Sequence, residues 1–237
     1  EDGKFISAID FGFEPDDSKI IKETTNYILA IKDSVFGQSG VTTAYGILEG
    51  IKVTLKQVFG SDDISGRSFA VQGLGSAGSV LAKELVKAGG KVYVADLNAG
   101  RLKEFANIAT VVNQDEILYL NVDVLAPCGP AYIINKNTIP KLNCKIIAGA
   151  ANCQLEDEVE DDRRLFERGI LVAPDYAVNA GGVLQGIEEL NGGSLENALS
   201  RLPLIAKNLN EIYARSKQNG EGTYAVAKKM ALEKRKL

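Results

Sequence analysis

Apolar residues in the middle of the chain form short runs that alternate with segments of helical spacing. The apolar runs are SFAVQG, KVYVAD and residues 122–126, 145–148 and 170–173. Segments 76–88 and 98–106 follow the first two runs and place apolar residues three or four positions apart. Strands that are apolar on both faces and separated by helices are typical of a parallel sheet covered on both sides. We therefore predict an α/β fold with a doubly wound parallel sheet.

The two ends of the chain show different patterns. Residues 4–9 are predicted as a short strand, and residues 18–28 as a helix after the acidic cap at Asp16 and Asp17. Residues 42–59 carry apolar side chains at helical spacing and predict a second helix. The segment from residue 181 to 237 is predicted as mainly helical, with breaks at 191–193 and 219–220.

Charge and hydropathy exclude two classes of partner. The formal net charge is −4, and lysine and arginine form no basic stripe that would match a nucleic-acid backbone. No apolar run reaches the roughly 18 residues that span a bilayer, and no signal peptide opens the chain. We therefore expect no nucleic-acid or membrane partner, and a cytoplasmic location.

The chain contains no histidine, which removes several kinds of chemistry. Ser-His-Asp hydrolysis and histidine-ligated metal sites are excluded. The three cysteines lack CxxC spacing and so predict neither a zinc site nor a disulfide framework. We expect no metal, and proton transfer falls to Asp, Glu, Lys, Tyr or Cys.

GLGSAG at residues 73–78 has the context of a dinucleotide-binding fingerprint, because it follows a strand and opens a helix. Gly73 permits the tight turn, Gly75 lets the backbone approach a pyrophosphate, and Gly78 allows close packing of the helix. Asp96 ends the next strand, where its carboxylate would bind the ribose hydroxyls and repel a 2′-phosphate. The segment predicts a Rossmann-type domain that prefers NAD to NADP, with a glycine-rich turn and a capping aspartate as the structural alternative.

Four further segments resemble one family of proteins: VTTAYG, APCGPAYIINKNTI, IAGAANCQL and APDYAVNAGGV. They are similar to the glutamate/leucine/phenylalanine/valine dehydrogenases, most closely to the leucine and phenylalanine branch. The resemblance implies reversible NAD-dependent oxidative deamination of an L-amino acid to a 2-oxo acid and ammonia, by a protein that assembles as a homo-oligomer.

The resemblance also assigns roles to individual residues. Asp10 matches the aspartate that exchanges protons with the substrate amine, with a capping role at a strand end as the alternative. Ala8, Asn179, Val183 and Gly186 match substrate-binding positions. The positions that match cofactor-binding residues are Thr43, Gly73, Gly75, Ser76, Ala77, Gly78, Asp96, Leu97, Cys128, Ala150 and Asn152.

The residues expected at the side-chain pocket are uncharged, which suits an apolar rather than an acidic substrate. Gly186 stands where members specific for branched aliphatic substrates tend to carry valine. We therefore predict a deeper pocket that admits an aromatic ring.

The family's two lysines, which bind the substrate carboxylate and activate water, lie in a glycine-rich N-terminal half that has no counterpart here. We therefore expect a remnant of the substrate domain at residues 1–30, the NAD-binding domain at 31–190, and C-terminal helices at 191–237 that pack back toward the substrate domain. A fragment, a split protein and a non-catalytic NAD-binding module are the alternatives. A shikimate-dehydrogenase-like oxidoreductase would not explain NAGGV and GAANCQL together.

Overall fold

A computed structural model describes residues 5–8, 17–29 and 39–234, and its centre is a six-stranded parallel sheet. The strands of this sheet are β3 (Ser68–Gln72), β4 (Lys91–Ala95), β5 (Thr110–Val111), β6 (Val124–Pro127), β7 (Ile146–Ile147) and β8 (Leu171–Val172). Their order is β5-β4-β3-β6-β7-β8, and every neighbouring pair is parallel. The predicted doubly wound α/β fold is confirmed.

Helices cover both faces of the sheet. The helices of the described residues are α1 (Asp17–Thr24), α2 (Gly40–Phe59), α3 (Ser76–Lys87), α4 (Ala99–Phe105), α5 (Glu160–Glu167), α6 (Asp175–Val178), α7 (Gly181–Leu190), α8 (Leu195–Ser200), α9 (Pro203–Asn219) and α10 (Thr223–Lys234), of which α1 lies beside a separate two-stranded sheet near the N-terminus. The predicted breaks in the C-terminal part fall between α7 and α8 and between α9 and α10. Among the described residues, no helix is both long and apolar enough to cross a membrane.

Alternation along the strands divides the core into two clusters, one on each face of the sheet. In β3, Phe69 and Val71 belong to one cluster and Ala70 to the other. The first cluster includes Ile47 of α2 and Leu209 of α9, both fully buried. Burial of a large aliphatic side chain stabilises the fold by about 1.5–3 kcal/mol. Helices α9 and α10 therefore belong to the same core as the sheet.

The region predicted as one helix over residues 18–28 is instead a helix followed by a strand. Helix α1 ends at Thr24, whose hydroxyl donates to the carbonyl of Ile21 at 2.8 Å. Residues 28–29 form β2 (Ile28–Leu29), which pairs in parallel with β1 (Ser7–Ala8). The apolar spacing fits a helix, but the β-branched Thr24 and Thr25 favour its end.

Besides β2, three further strands or helices were not predicted from the sequence. Strand β5 lies at the sheet edge with both side chains exposed, so it lacks an apolar run. Helix α5 has the sequence EDDRRLFE, in which Leu165 is the one buried apolar residue. Helix α6 has four residues, too few to show a period.

The carboxyl ends of β3 and β6 define the crevice of the sheet. The chain leaves β3 toward β4 on one side and leaves β6 toward β7 on the other, so the strand order reverses between these two strands. Ligands of open α/β sheets bind outside the strands' carboxyl ends at this point. The loops that follow β3, β4, β6 and β7 are therefore the candidate functional site.

Candidate functional site

The loop after β3 turns sharply at Gly73. Its φ of 94° lies in the left-handed region, which favours glycine. Its N–H donates to the carbonyl of Ala95 at 2.8 Å. A Cβ at this position would lie 2.7 Å from the carbonyl oxygen of Cys128. The turn thus fits between β4 and the loop after β6 because residue 73 lacks a side chain.

Gly75 and Gly78 differ in what surrounds them. A Cβ on Gly78 would lie 2.0 Å from the carbonyl oxygen of Gly73, so α3 packs directly on the turn. A Cβ on Gly75 would meet no atom of the described residues within 4 Å. Gly75 caps the N-terminus of α3 in an extended conformation, which leaves its backbone open to a ligand. The contacts of Gly78 thus agree with close helix packing, whereas the approach of a pyrophosphate at Gly75 stays a prediction.

Asp96 follows β4 and holds the turn from the other side. One carboxylate oxygen accepts the N–H of Leu74 at 2.6 Å, and the second accepts the N–H of Asn98 at 2.7 Å. Its side chain is 8% exposed, whereas the next residue, Leu97, is 89% exposed. Asp96 therefore accepts backbone N–H groups, as a capping aspartate does, and also lies at the rim of the loop.

The loops after β6 and β7 lie beside those after β3 and β4 at the same edge of the sheet. These four loops are called the row from here on. Cys128 is half-buried, and desolvation raises the pKa of its thiol to about 12, so the thiol is neutral. A Cβ on Gly149 would lie 2.1 Å from the carbonyl oxygen of Pro127, so these two loops are also in direct contact. Cys128 thus offers its backbone groups and an uncharged thiol at this edge of the sheet.

Two asparagines from distant parts of the sequence meet at this edge. The Asn179 side-chain amide donates to Oδ1 of Asn152 at 2.6 Å and to the carbonyl of Ala150 at 3.2 Å. Asn152 is exposed and lies beyond β7, whereas Asn179 follows α6. The structure therefore brings together Ala150, Asn152 and Asn179, predicted as one cleft.

The N-termini of α2, α3 and α7 converge above these loops. A Cβ on Gly181 would lie 2.1 Å from the carbonyl oxygen of Thr42, and one on Gly182 would lie 2.9 Å from Oγ1 of Thr43. A Cβ on Gly40 would lie 2.6 Å from Cβ of Ser76 at the start of α3. Glycines thus allow the three helix ends to meet, with Thr43 in the first turn of α2 facing the start of α7, and Ala77 in the first turn of α3.

The predicted pocket residues Ala8 and Gly186 are linked through Leu29. Ala8 is exposed and pairs with Leu29 across the two-stranded sheet. A Cβ on Gly186 would lie 3.3 Å from Cδ1 of Leu29. Val183 lies on the same helix as Gly186 and is 66% exposed. Asp10 lies outside the described residues.

A buried network that the sequence did not reveal supports the asparagine pair. The amide of Gln154 donates to the hydroxyl of Tyr224 at 2.6 Å, and the same hydroxyl accepts the N–H of Asp175 at 3.2 Å. The Asp175 carboxylate accepts the N–H of Gln154 at 3.0 Å. All three residues are buried. Their separations in sequence, 21 and 49 residues along the chain, leave no local signal, although Gln154 and Asp175 belong to the GAANCQL and APDY strings.

Within the part of the chain that the structure describes, no group of three or more cysteine, aspartate or glutamate side chains could hold a metal ion. The chemistry of the row is that of backbone N–H groups, carboxamides and one carboxylate. Such groups suit a phosphate-bearing ligand with ribose hydroxyls. The fold and the row of loops together define a Rossmann-type α/β protein.

Comparison with known proteins identifies the family. The model of the Glutamate/Leucine/Phenylalanine/Valine dehydrogenase family matches residues 93–234, and the chain belongs to this family. It is 39% identical to leucine dehydrogenase of Bacillus cereus over 98% of this chain and 64% of that protein. It is 38% identical to phenylalanine dehydrogenase of Lysinibacillus sphaericus over 89% of this chain and 58% of that protein.

A solved structure agrees with this assignment. The crystal structure of L-tryptophan dehydrogenase from Nostoc punctiforme superimposes with a TM-score of 0.85 at 34% identity, covering 97% of this chain and 67% of that one. The resemblance to the leucine and phenylalanine branch is confirmed. The chain spans just under two thirds of the length of the curated leucine dehydrogenases that it matches.

Proposed function

We propose that the chain binds NAD and forms the cofactor side of a cleft for oxidative deamination of an apolar L-amino acid to a 2-oxo acid and ammonia. The observation that carries this proposal is the continuous row from the Gly73 turn, through Cys128, to the Asn152–Asn179 pair. Along such a row, one extended ligand can contact the dinucleotide loop at one end and, at the other end, polar groups that could orient a substrate.

The residues of the row fit a dinucleotide. The open backbone at Gly75 and the N–H groups in the first turn of α3 would hold the pyrophosphate. The loop after β4, with Asp96 and Leu97, would hold the adenosine ribose. Thr43, Ala150 and Asn152 would contact the nicotinamide half. When bound, NAD supplies the acceptor for the hydride that leaves the amino-acid Cα.

The polar end of the substrate would lie at Asn179, the position that the resemblance assigns to substrate binding, where its amide N–H groups already hold Asn152 and the Ala150 carbonyl in place. Asp10 would exchange protons with the substrate amine or imine. Its role rests on the resemblance of SAIDFG to the corresponding family segment.

The side-chain pocket would be formed by Ala8, Leu29, Val183 and Gly186. These residues are uncharged. The second carboxylate of a glutamate substrate would therefore lose its water there, and none of these residues would supply a positive charge to compensate. An aliphatic or aromatic substrate has no such cost. The identities of the leucine and phenylalanine dehydrogenases that match this chain agree with this proposal.

Gly186→Val is expected to lower the preference for phenylalanine over leucine by about tenfold, the effect of one or two methyl groups in an apolar pocket. The reason is that Cβ alone would lie 3.3 Å from Leu29 Cδ1, so the two added methyls narrow the space between α7 and β2. The measurement is the ratio of binding constants for the two amino acids with dinucleotide present, and of kcat/KM wherever turnover occurs. Leu190→Val on the same helix is the control, and a raised phenylalanine preference would contradict the prediction.

A non-catalytic NAD-binding module is the second candidate function. Within residues 1–237 there is no counterpart of the glycine-rich lysine segment to which the resemblance assigns binding of the substrate carboxylate and activation of water. We therefore expect the chain by itself to bind NAD without deaminating amino acids. Cytoplasmic location and assembly into a homo-oligomer stay predictions.

Calorimetric titration of the purified chain with NAD, followed by NADH formation from leucine, valine, phenylalanine and glutamate, tests these proposals. NAD binding without NADH formation is the expected result. Rapid NADH formation by the chain alone would contradict the expected lack of turnover. Failure of the folded chain to bind NAD would refute the proposed function. Adding the lysine-bearing part of a relative separates the two candidates, because only a deaminase cleft would then turn over.

A further inference from the structure

The loop after β4 carries a pair of opposite charges with very different exposure. Nη1 of Arg101 lies 3.6 Å from Oδ2 of Asp96. The Asp96 side chain is 8% exposed, whereas that of Arg101 is 51% exposed. The anion therefore lies inside the loop and the cation at its surface.

Both oxygens of the Asp96 carboxylate already have backbone donors. Oδ2 accepts the N–H of Leu74, and Oδ1 accepts the N–H of Asn98. Together with Arg101, these donors compensate the negative charge that a ligand would otherwise meet at this end of the cleft. The repulsion of a 2′-phosphate, expected from Asp96 alone, is weaker as a result.

Arg101 has the position and the chemistry to bind such a phosphate. It lies in the first turn of α4, where its N–H donates to the side-chain oxygen of Asn98 at 3.3 Å. Its guanidinium presents several donors in one plane, which match two oxygens of a phosphate. An arginine near the acidic residue at the end of the second strand is the general means by which Rossmann domains accommodate a 2′-phosphate.

We propose that Arg101 allows the cleft to accept NADP as well as NAD, by binding the 2′-phosphate on the adenosine ribose. This inference rests on the proposed dinucleotide-binding function and changes its specificity. NAD remains a ligand through Asp96, and the 2′-phosphate replaces the Asp96 carboxylate as the partner of the guanidinium.

The test compares dissociation constants for NADH and NADPH, measured by fluorescence titration of the whole chain. The variants are Arg101→Ala, Arg101→Lys and, as control, Lys103→Ala. Lys103 is exposed on the same helix two positions away, and residues at that spacing do not share a face. We expect Arg101→Ala to weaken NADPH binding by about tenfold or more, the effect of losing a hydrogen bond to a charged group.

NADH affinity is expected to stay within about threefold in all variants, because Asp96 keeps its two backbone donors when the half-exposed Arg101 side chain is removed. Arg101→Lys should recover part of the NADPH affinity, and Lys103→Ala should leave it unchanged. The inference would be wrong if the wild-type chain binds NADH but not NADPH, or if Arg101→Ala and Lys103→Ala affect NADPH equally. The proposed function survives both results. Failure to bind either nucleotide would overturn the proposed function, and the inference with it.

Discussion

Gly75→Ala is expected to leave the free energy of unfolding almost unchanged and to weaken NAD binding by about tenfold or more. The added methyl would meet no atom of the described residues within 4 Å, and φ at this position is −67°, which alanine adopts readily. The same methyl would stand on the face where the pyrophosphate is proposed to approach the backbone. A loss of binding without a loss of stability therefore distinguishes a ligand-contact glycine from a structural one.

Gly78→Ala is the matched control for this experiment, because it adds the same methyl three residues further along the chain, in the first turn of α3. There the Cβ would lie 2.0 Å from a backbone carbonyl oxygen, which cannot move aside as a flexible side chain could. We expect destabilisation of about 1–3 kcal/mol or more, as for overpacking in a core. Urea unfolding gives the stability and calorimetry gives the affinity. If Gly75→Ala binds NAD as tightly as the wild type, the pyrophosphate does not contact this glycine.

The sequence predicted the central sheet because parallel strands buried on both faces are apolar at successive positions. In β3, for example, residues 69–71 are all fully buried. The dinucleotide loop was predictable for a related reason, since its glycines have separate steric requirements that few other residues meet. The contacts of Gly73 and Gly78 agree with this interpretation.

Other elements depend on contacts that a local pattern does not contain. Helix α5 buries two aspartates, and one of them, Asp162, accepts the N–H of Ala225 at the start of α10 at 3.0 Å. Burial raises the pKa of Asp162, and the backbone donors of α10 oppose that increase. A charged helix of this kind is stabilised by a partner 63 residues away, so no periodicity marks it. Strand β2 was missed because two apolar residues fit the end of a helix as well as a short strand.

Only part of the candidate site was predictable, because some of its residues depend on contacts between distant segments. The family strings placed Ala150, Asn152 and Asn179 in one cleft, and the hydrogen bonds of the Asn179 amide connect them. The Tyr224 hydroxyl that supports this arrangement comes from α10, outside every string that carries the resemblance. Its contribution depends on the packing of α10 beneath the loops, which only the folded chain displays.

Tyr224→Phe is expected to destabilise the chain by about 1–3 kcal/mol, the cost of leaving a buried polar group without its partner. The phenylalanine ring would fill the same space, but the N–H of Asp175 and one donor of the Gln154 amide would lose their acceptor. Burial raises the pKa of Tyr224 above its usual range, so the lost group is a neutral hydroxyl. Tyr176→Phe is the matched control, since that ring meets Tyr224 edge to face but its hydroxyl makes only a 3.5 Å contact.

Tyr224→Phe should also affect the site, which a purely local loss of stability would not do. Gln154 lies two residues after Asn152, and Asp175 begins the helix that leads to Asn179. When their shared acceptor is removed, the two segments are held less firmly, and the 2.6 Å contact between the asparagines is expected to loosen. NAD affinity should therefore fall in Tyr224→Phe and not in Tyr176→Phe, measured at a temperature where both variants are fully folded. Equal affinities in the two variants would mean that the network stabilises the fold without positioning the asparagine pair.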